Sequence, residues 1–186
     1  MLRNALRFAA GLILGAALWW YATPAYNRFL AFAAQPLVHL DHRYAQATLT
    51  ASGRWIQVAG ASIPPARIPV DQYTASMVLL IALFAMRQDL FRDRWIRSFS
   101  GSVLIIVAMQ IISVMVGTEA TYAVRLPAWG DIHYSGVEQD LWQAAEFVYR
   151  IGGMFAVAFA CYWVTSEEPA DATRTNNAPR KQQKHR

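Results

Sequence analysis

The sequence predicts an α-helical membrane protein with four transmembrane helices and a small extracytoplasmic β-hairpin and interfacial-helix insertion between the first two. Its 186 residues are 55% hydrophobic and 16% charged, and the mean hydropathy is +0.21. A soluble domain usually carries about a quarter charged residues, whereas this chain contains several apolar runs near bilayer length. Lys and Arg residues cluster beside alternate ends of these runs. Together these observations exclude an ordinary water-soluble globule.

The first predicted span covers residues 8–26 and follows a short basic N-terminal segment. A helix of this length is about 28 Å long, which is enough to cross the hydrocarbon core. Trp19, Trp20 and Tyr21 lie where an interfacial aromatic belt forms. A basic start before an apolar run is also typical of a cleaved signal peptide, but the bulky aromatic end favours a retained anchor.

An extracytoplasmic insertion is predicted over residues 27–71, because this connection is too long for a turn and too patterned for a linker. It begins with an apolar helix that we expect to break at Pro36 and to lie along the outer interface. Thr-rich alternation, a turn at Ser52 and Gly53 and an aromatic return segment then predict a β-hairpin. Three prolines are expected to prevent regular structure from there to the second span: Pro64, Pro65 and Pro69.

The second and third predicted spans cover residues 70–87 and 98–118, and a short Arg-rich loop joins them. The second contains a short uncharged stretch and crosses only if Arg87 snorkels towards the headgroups. The third is uncharged throughout and is the clearest span in the chain. The loop between them is expected to contact lipid phosphates on the cytoplasmic side.

The fourth predicted span covers residues 142–164 and carries two charged residues, Glu146 and Arg150. Their i,i+4 spacing places both on one helix face, with the acid before the base, which is the favourable order. Ionisable residues inside a span are costly and are candidates for function. We therefore predict an interaction site or structural ion pair here, with Asp71 as a further partner of Arg150 from another span.

The distribution of Lys and Arg predicts the topology, because basic residues near spans are retained in the cytoplasm. Most of them lie in the N-terminal segment, in the loop 87–97 and near the C-terminus, so both termini are predicted to be cytoplasmic. The transmembrane domain then covers residues 1–165, and a second outer loop with an acidic, aromatic surface covers residues 119–140. Residues 166–186 are expected to form a disordered basic tail beside anionic lipid headgroups. This placement explains the net charge of +5 without nucleic acid.

Three histidines on the predicted outer side are the candidates for chemistry there: His39, His42 and His133. With Asp41 they carry donor atoms suited to zinc or another divalent metal. Their spacing matches no metal motif, however, and interfacial polar residues are the simpler interpretation, so no metal and no cofactor is predicted. Because no span contains a histidine, axial imidazole ligation of haem within the bilayer is excluded, which leaves only methionine ligands. His133 is also the candidate catalytic residue.

Small residues follow one face of the fourth span: Gly152, Gly153, Ala156 and Ala160. Such a stripe indicates close helix packing in a membrane. The opposing surface is expected on the third span, at Gly101 and Ser102, or on the first, at Gly11 and Gly15.

The order of several features resembles the exosortase and archaeosortase superfamily of membrane transpeptidase-like proteins. The resemblance covers Gly53-Arg54-Trp55-Ile56-Gln57-Val58, then Ile63-Pro64, then Val70-Asp71-Gln72-Tyr73-Thr74-Ala75-Ser76, followed by a span, an Arg-rich turn and another span. In those enzymes a Cys-Ser-Gly type motif opens the corresponding span, where this chain has Tyr73-Thr74-Ala75. No arginine closes the third span either, so the catalytic residues of the superfamily do not carry over.

The chain more closely resembles the exosortase-H-associated membrane proteins, which are small membrane proteins encoded beside one exosortase class. The likeness lies in size, in the outer hairpin after the first span, and in the opening of the last span, Glu146-Phe147-Val148-Tyr149-Arg150-Ile151-Gly152-Gly153. It implies a setting in protein sorting at a bacterial inner membrane.

These observations favour a non-enzymatic accessory or assembly subunit of a bacterial inner-membrane complex. Its predicted partners are the lipid bilayer, other membrane protein subunits and anionic headgroups at the basic tail. One alternative is a divergent membrane transpeptidase or hydrolase that uses His133 with Asp71, Arg125 or Arg150. A second alternative is a structural subunit of a respiratory or photosynthetic membrane complex.

Overall fold

A computed structural model describes residues 2–88 and 90–166, most of which are helical. The helices and strands follow in this order: α1 (Leu2–Val38), β1 (Thr48–Ser52), β2 (Trp55–Gly60), β3 (Ile63–Pro69), α2 (Asp71–Thr74), α3 (Ser76–Ala85), α4 (Asp93–Ala120), α5 (Pro127–His133), α6 (Gly136–Val148) and α7 (Met154–Ser166). A 3₁₀ turn at His42–Tyr44 precedes β1. Two π-helical segments, Thr121–Arg125 and Tyr149–Gly153, extend α4 and join α6 to α7. Apart from Ser166, the predicted basic tail lies outside the described residues.

Within the described residues, three helical segments are long and apolar enough to cross a membrane: Leu2–Val38, Asp93–Arg125 and Gly136–Ser166. They contain the first, third and fourth predicted spans. The second predicted span corresponds to a shorter apolar helix, Asp71–Ala85. This helix is about 22 Å long, which is less than the hydrocarbon thickness of about 30 Å.

Helix α1 continues through both of its prolines, so the predicted break at Pro36 is wrong. A proline inside a helix costs about 3 kcal/mol, because it removes one hydrogen bond and crowds the preceding turn. Here the end of α1 packs on the sheet and buries Leu30, Ala34 and Val38. Burial of this face offsets the cost of the proline. The separate interfacial helix expected after the first span is therefore the end of α1.

The strands form one antiparallel sheet in the order β1-β2-β3. The predicted hairpin is confirmed, with Ser52 opposite Trp55 and with Gly53 in the turn at a φ of +62°. The expectation that the prolines prevent regular structure is wrong, because β3 pairs with β2 from Ile63 to Pro69. As an edge strand β3 needs ladder hydrogen bonds on one side only, so it tolerates proline.

Two clusters of buried apolar side chains form the core. The first joins the sheet to the ends of α1 and α4, and its largest fully buried members are Leu30, Tyr44, Ile56, Ile68, Tyr73 and Tyr122. The second lies between α3, α4 and α7, and it includes Leu80, Phe84, Ile106, Met154 and Ala158. The sheet is thus packed on one end of the helices by the first cluster.

Gln110 connects α4 to three other helices, α1, α2 and α3, and is fully buried. Its Nε2 donates to the Tyr73 carbonyl oxygen over 3.2 Å and to Ser76 Oγ over 3.1 Å. The Tyr26 hydroxyl donates to Gln110 Oε1. These bonds satisfy a buried amide and tie α4 to α1 and to the start of α3.

Two glycines allow α1 to approach α3 closely. A Cβ atom at Gly11 would lie 2.6 Å from Ala85 Cβ, and one at Gly15 would lie 3.3 Å from the Val78 carbonyl oxygen. Small residues four apart permit this kind of contact between apolar helices. The surface opposite Gly11 and Gly15 is therefore α3, and not the small-residue stripe of the last helix as expected.

The predicted small-residue stripe faces away from the bundle. Ala156 and Ala160 are exposed, and a Cβ atom at Gly152 would meet nothing within 4 Å. Gly101 on α4 is equally open. The buried face of α7 consists of other side chains: Met154, Ala158 and Cys161. The expected stripe assumed one straight helix, whereas the segment Tyr149–Gly153 interrupts the helix with a kink at Gly152.

Candidate functional site

Two π-helical segments lie beside one group of polar side chains, called here the Arg-Glu site: Tyr73, Arg125, Glu146 and Arg150. The segment Thr121–Arg125 ends at Arg125, and the segment Tyr149–Gly153 contains Arg150. Helix α6 supplies Glu146, and α2 supplies Tyr73. Single π turns inside helices occur frequently at functional sites, so this group is the candidate site.

Glu146 lies at the centre of the Arg-Glu site and is only 7% exposed. Arg125 Nη2 donates to Glu146 Oε1 over 2.5 Å. The Tyr73 hydroxyl donates to the same oxygen over 3.4 Å. A buried carboxylate requires such partners, because burial of an unpaired charge is costly.

The arginine that pairs with Glu146 is Arg125, and not Arg150 as the spacing predicted. The π segment begins at Tyr149, directly before Arg150. It changes the angular spacing on which the i,i+4 argument depends. Within residues 2–88 and 90–166, no ion pair or hydrogen bond joins the Arg150 side chain to another residue.

Two cavities adjoin at the Arg-Glu site. The smaller has a volume of about 190 Å³ and is lined by Val124, Arg125, Gln143, Glu146, Phe147 and Arg150. The larger has a volume of about 420 Å³ and is lined by Gln72, Phe147, Arg150 and Ile151. Both cavities include Phe147 and Arg150, so the Arg150 guanidinium borders both of them. The smaller cavity adds Arg125 and Glu146, and the larger cavity adds the apolar Ile151.

The π segment that carries Arg150 also depends on Gly153. A Cβ atom at Gly153 would lie 2.8 Å from the Val148 carbonyl oxygen. This position therefore requires glycine for local backbone geometry, whereas the sequence interpretation assigned Gly153 to packing between helices.

Asp71 lies apart from the Arg-Glu site. Its Oδ1 accepts a hydrogen bond from the Gln72 backbone N–H over 3.0 Å. It lines a separate cavity of about 520 Å³ that also includes Arg54 and Trp20. Asp71 was predicted to pair with Arg150, but in the described part of the chain no ion pair joins these two residues.

A second polar group, the Arg43 network, consists of Asp41, Arg43, Tyr44, Glu119 and Tyr134. Arg43 Nη2 lies 2.5 Å from Asp41 Oδ2 and 3.6 Å from Glu119 Oε2. Its guanidinium also lies over the Tyr134 ring, 3.9 Å from the centroid. The Tyr134 hydroxyl donates to Glu119 Oε2 over 2.7 Å and shares a hydrogen bond with the Tyr44 hydroxyl. The network therefore links residues 41–44, which precede β1 in the chain, to the C-terminal end of α4.

The prediction that Glu119 belongs to an exposed acidic loop is wrong. Glu119 lies in the last turn of α4 and is 2% exposed. Its contacts with Arg43 and Tyr134 compensate its burial. The predicted loop 119–140 is also largely helical, because it contains α5 and the start of α6.

Protonation in the Arg43 network follows from burial and pairing. Burial alone would raise the pKa of the Asp41 carboxyl, but hydrogen bonds from Arg43 outweigh it and hold that pKa below its ordinary value. The hydrogen bonds to Asp41 in turn raise the pKa of the Arg43 guanidinium. Burial raises the pKa of the Tyr44 and Tyr134 hydroxyls. At neutral pH the network thus holds a charged Asp-Arg pair beside two neutral tyrosines.

The three candidate histidines have separate environments. His39 Nε2 lies 2.7 Å from the Ala47 carbonyl oxygen, and the His42 side chain is 95% exposed. The His133 ring stacks on Trp129 with centroids 3.8 Å apart. The described residues contain no group of three or more His, Cys, Asp or Glu side chains placed to hold a metal ion.

His133 is not brought to the residues that the enzymatic alternative requires. Its Nδ1 lies 2.9 Å from the Trp129 carbonyl oxygen, and its own carbonyl oxygen accepts a bond from Arg43. No hydrogen bond joins it to Asp71, Arg125 or Arg150 in the part of the chain that the structure describes.

The sequence did not predict that Tyr73 and Arg125 contact Glu146, and it suggested Arg125 only as a partner of His133. Arg125 ends a long apolar segment shortly before Pro127, and a basic residue in that position was the available signal. Tyr73 gave no signal, because one tyrosine near the start of an apolar run is also typical of an interfacial position.

Among the described residues, the fold combines three apolar helices long enough to span a membrane with a three-stranded sheet, and the Arg-Glu site lies beside two π segments. Comparisons of the chain with protein-family models, curated proteins and solved structures gave no match.

Proposed function

We propose that this protein is a non-enzymatic accessory or assembly subunit of a bacterial inner-membrane complex, and that it binds a partner subunit through the open small-residue face of α7. The observation that carries this proposal is the outward orientation of Gly152, Ala156 and Ala160. Apolar helices associate in lipid mainly through close packing of such residues.

The protein's own helix packing supports this use of the stripe. Gly11 and Gly15 bring α1 against α3 by the same type of contact. The stripe on α7 has the same residue types but faces outward. Beside it lies a cavity of about 430 Å³ between α4 and α7, lined by Gly101, Ser102, Ile105, Val157, Ala160 and Cys161, among others. A partner helix on this face would fill the cavity and cover the stripe.

The proposed topology places the sheet on the extracytoplasmic side of the membrane and both termini in the cytoplasm. The start of α1 lies beside the Arg-rich loop, since Arg7 Nη1 donates to the Arg87 carbonyl oxygen over 3.4 Å. The sheet packs on the other end of α1. This segregation of basic residues from the sheet is typical of an inner-membrane protein with cytoplasmic basic loops. Exosortase-type protein sorting is the setting that the resemblance implies.

Co-purification tests the proposal. A tagged full-length chain is extracted from its native membrane in mild detergent, and the stoichiometry of co-purifying membrane proteins is measured. We expect a fixed ratio to one partner and a loss of about tenfold for Ala160→Leu, because overpacking a close contact costs about 1–3 kcal/mol. Ala17→Leu introduces the same change at an exposed position on α1 and serves as the matched control.

Two results would contradict the proposal. One is recovery of the wild-type chain as a lone monomer under conditions that preserve other complexes of the same membrane. The other is equal partner recovery for Ala160→Leu and Ala17→Leu, which would place the interface elsewhere.

A further inference from the structure

We propose that the Arg-Glu site binds the phosphate of an anionic phospholipid headgroup, in the leaflet next to the sheet. The inference shares the membrane setting with the proposed function but does not require a partner subunit. It rests on three features of the site: its charge, the shape of its two cavities and the rigidity of its framework.

The charge of the site suits one monoanion. Arg125 and Arg150 carry two positive charges, and Glu146 carries the one negative charge among the described residues that line the two cavities. Glu146 is already bound to Arg125, so the fork of Arg150 remains for a ligand. Arginine presents five donors in a plane that match phosphate oxygens. A phosphodiester, with one negative charge, neutralises this excess of one positive charge.

The shape of the site suits an amphiphile. The smaller cavity is lined by Arg125, Glu146 and Arg150, and Gln143 adds an amide to it. The larger cavity includes Phe147 and Ile151, which are 63% and 66% exposed. A headgroup phosphate beside Arg150 would therefore leave its acyl chain along these two apolar side chains, where the hydrophobic effect favours contact.

The framework of the site holds the Arg125 guanidinium in place and fixes the backbone from which Arg150 extends. Arg125 is held by its bond to Glu146, and Glu146 also accepts from the buried Tyr73. Arg150 starts from a π segment whose backbone requires Gly153. A phosphate at Arg150 would therefore meet a site in which the Arg125-Glu146 pair and the local backbone are already in place, which lowers the entropic cost of binding.

Lipid titration of the purified full-length chain tests the inference. The chain is prepared in a zwitterionic detergent, and native mass spectrometry measures binding of phosphatidylglycerol, phosphatidylcholine and inorganic phosphate. We expect phosphatidylglycerol to bind at one saturable site, with an affinity at least about tenfold higher than that of phosphatidylcholine. Arg150→Gln should weaken phosphatidylglycerol binding by about tenfold, because hydrogen bonds to charged groups are the strong ones. Arg150→Lys keeps the positive charge but lacks the planar guanidinium with its five donors, so it should lose less phosphatidylglycerol affinity than Arg150→Gln.

Arg28→Gln removes an exposed arginine from α1 and controls for general loss of positive charge. Equal losses in Arg28→Gln and Arg150→Gln would overturn the inference, as would equal binding of phosphatidylcholine. Competition by millimolar inorganic phosphate at equal affinity would overturn the assignment to lipid.

If Arg150→Gln does not fold, Arg150→Lys still tests the inference, since unchanged lipid affinity in that variant contradicts a role for the guanidinium. Partner recovery from the same preparations separates the two proposals, because loss of lipid binding with the partner retained refutes only this one.

Discussion

The contact between α1 and α3 allows a prediction whose magnitude comes directly from the structure. In Gly11→Ala the new Cβ atom would lie 2.6 Å from Ala85 Cβ and 3.0 Å from Ala82 Cα. Carbon atoms pack best at about 3.5–4.0 Å, so the two helices must separate by about 1 Å. Overpacking of this kind costs about 1–3 kcal/mol.

Gly101→Ala provides the matched control, because a Cβ atom there meets nothing within 4 Å. Replacing glycine by alanine inside a helix stabilises it by about 0.5–1 kcal/mol when no clash follows. This gain is common to both variants and cancels in their difference. Gly11→Ala should therefore have a free energy of unfolding about 1–3 kcal/mol below that of Gly101→Ala. Gly15→Ala, with its nearest contact at 3.3 Å, should lie between them.

The free energy of unfolding is measured by titrating sodium dodecyl sulfate into each variant in mixed micelles, with tryptophan fluorescence as the signal. Equal or greater stability of Gly11→Ala relative to Gly101→Ala would refute the close contact of α1 with α3. A result in which Gly15→Ala is the least stable of the three would refute the order derived from the distances.

Three further predictions concern the polar groups and the hairpin. Glu146→Ala should lower the free energy of unfolding by about 3 kcal/mol, which is at the low end for a buried ion pair because the Arg125 side chain is 37% exposed. In the same detergent titration, the double variant with Arg125→Ala should lose less free energy of unfolding than the sum of the two single variants. Because the pKa of Asp41 is lowered, this residue stabilises the fold at pH values above the ordinary aspartate pKa of about 3.9, and the stabilisation is lost as the pH falls. Because the pKa of Tyr134 is raised, this residue stabilises the fold at pH values below the ordinary tyrosine pKa of about 10, and the stabilisation is lost as the pH rises. Circular dichroism against pH should thus show a weaker acid dependence in Asp41→Asn and a weaker alkaline dependence in Tyr134→Phe, and unchanged curves would exclude these groups. Gly53→Ala should destabilise the hairpin by about 1 kcal/mol because of its positive φ, and a neutral effect on thermal unfolding would contradict that turn geometry.

Much of the helical framework and the hairpin could be predicted from local features of the sequence. The apolar runs at 8–26, 98–118 and 142–164 lie within the three long apolar helices. The Ser52-Gly53 signal correctly predicted the turn that joins β1 to β2. These features depend on the sum or alternation of hydrophobicity over a few neighbouring residues, and tertiary contacts reinforce them.

The errors arise where a remote element changes the local outcome. Pro36 remains helical because the sheet buries the opposite face of α1. Strand β3 tolerates three prolines because it lies at the edge of the sheet. Glu119 is buried because Arg43 reaches it from before β1. In each case the deciding partner is far away in the sequence.

By itself the sequence determined which segments are apolar helices, where the hairpin turns and where the basic residues concentrate, because composition and short-range periodicity specify these features. Only the tertiary structure decided that Glu146 pairs with Arg125, that Arg150 borders two cavities and that the small residues of α7 face outward. The physical reason is that a π segment of five residues, kinked at Gly152, interrupts the regular helical spacing before α7. The side-chain partners of the last helix therefore depend on a backbone irregularity that hydropathy does not register.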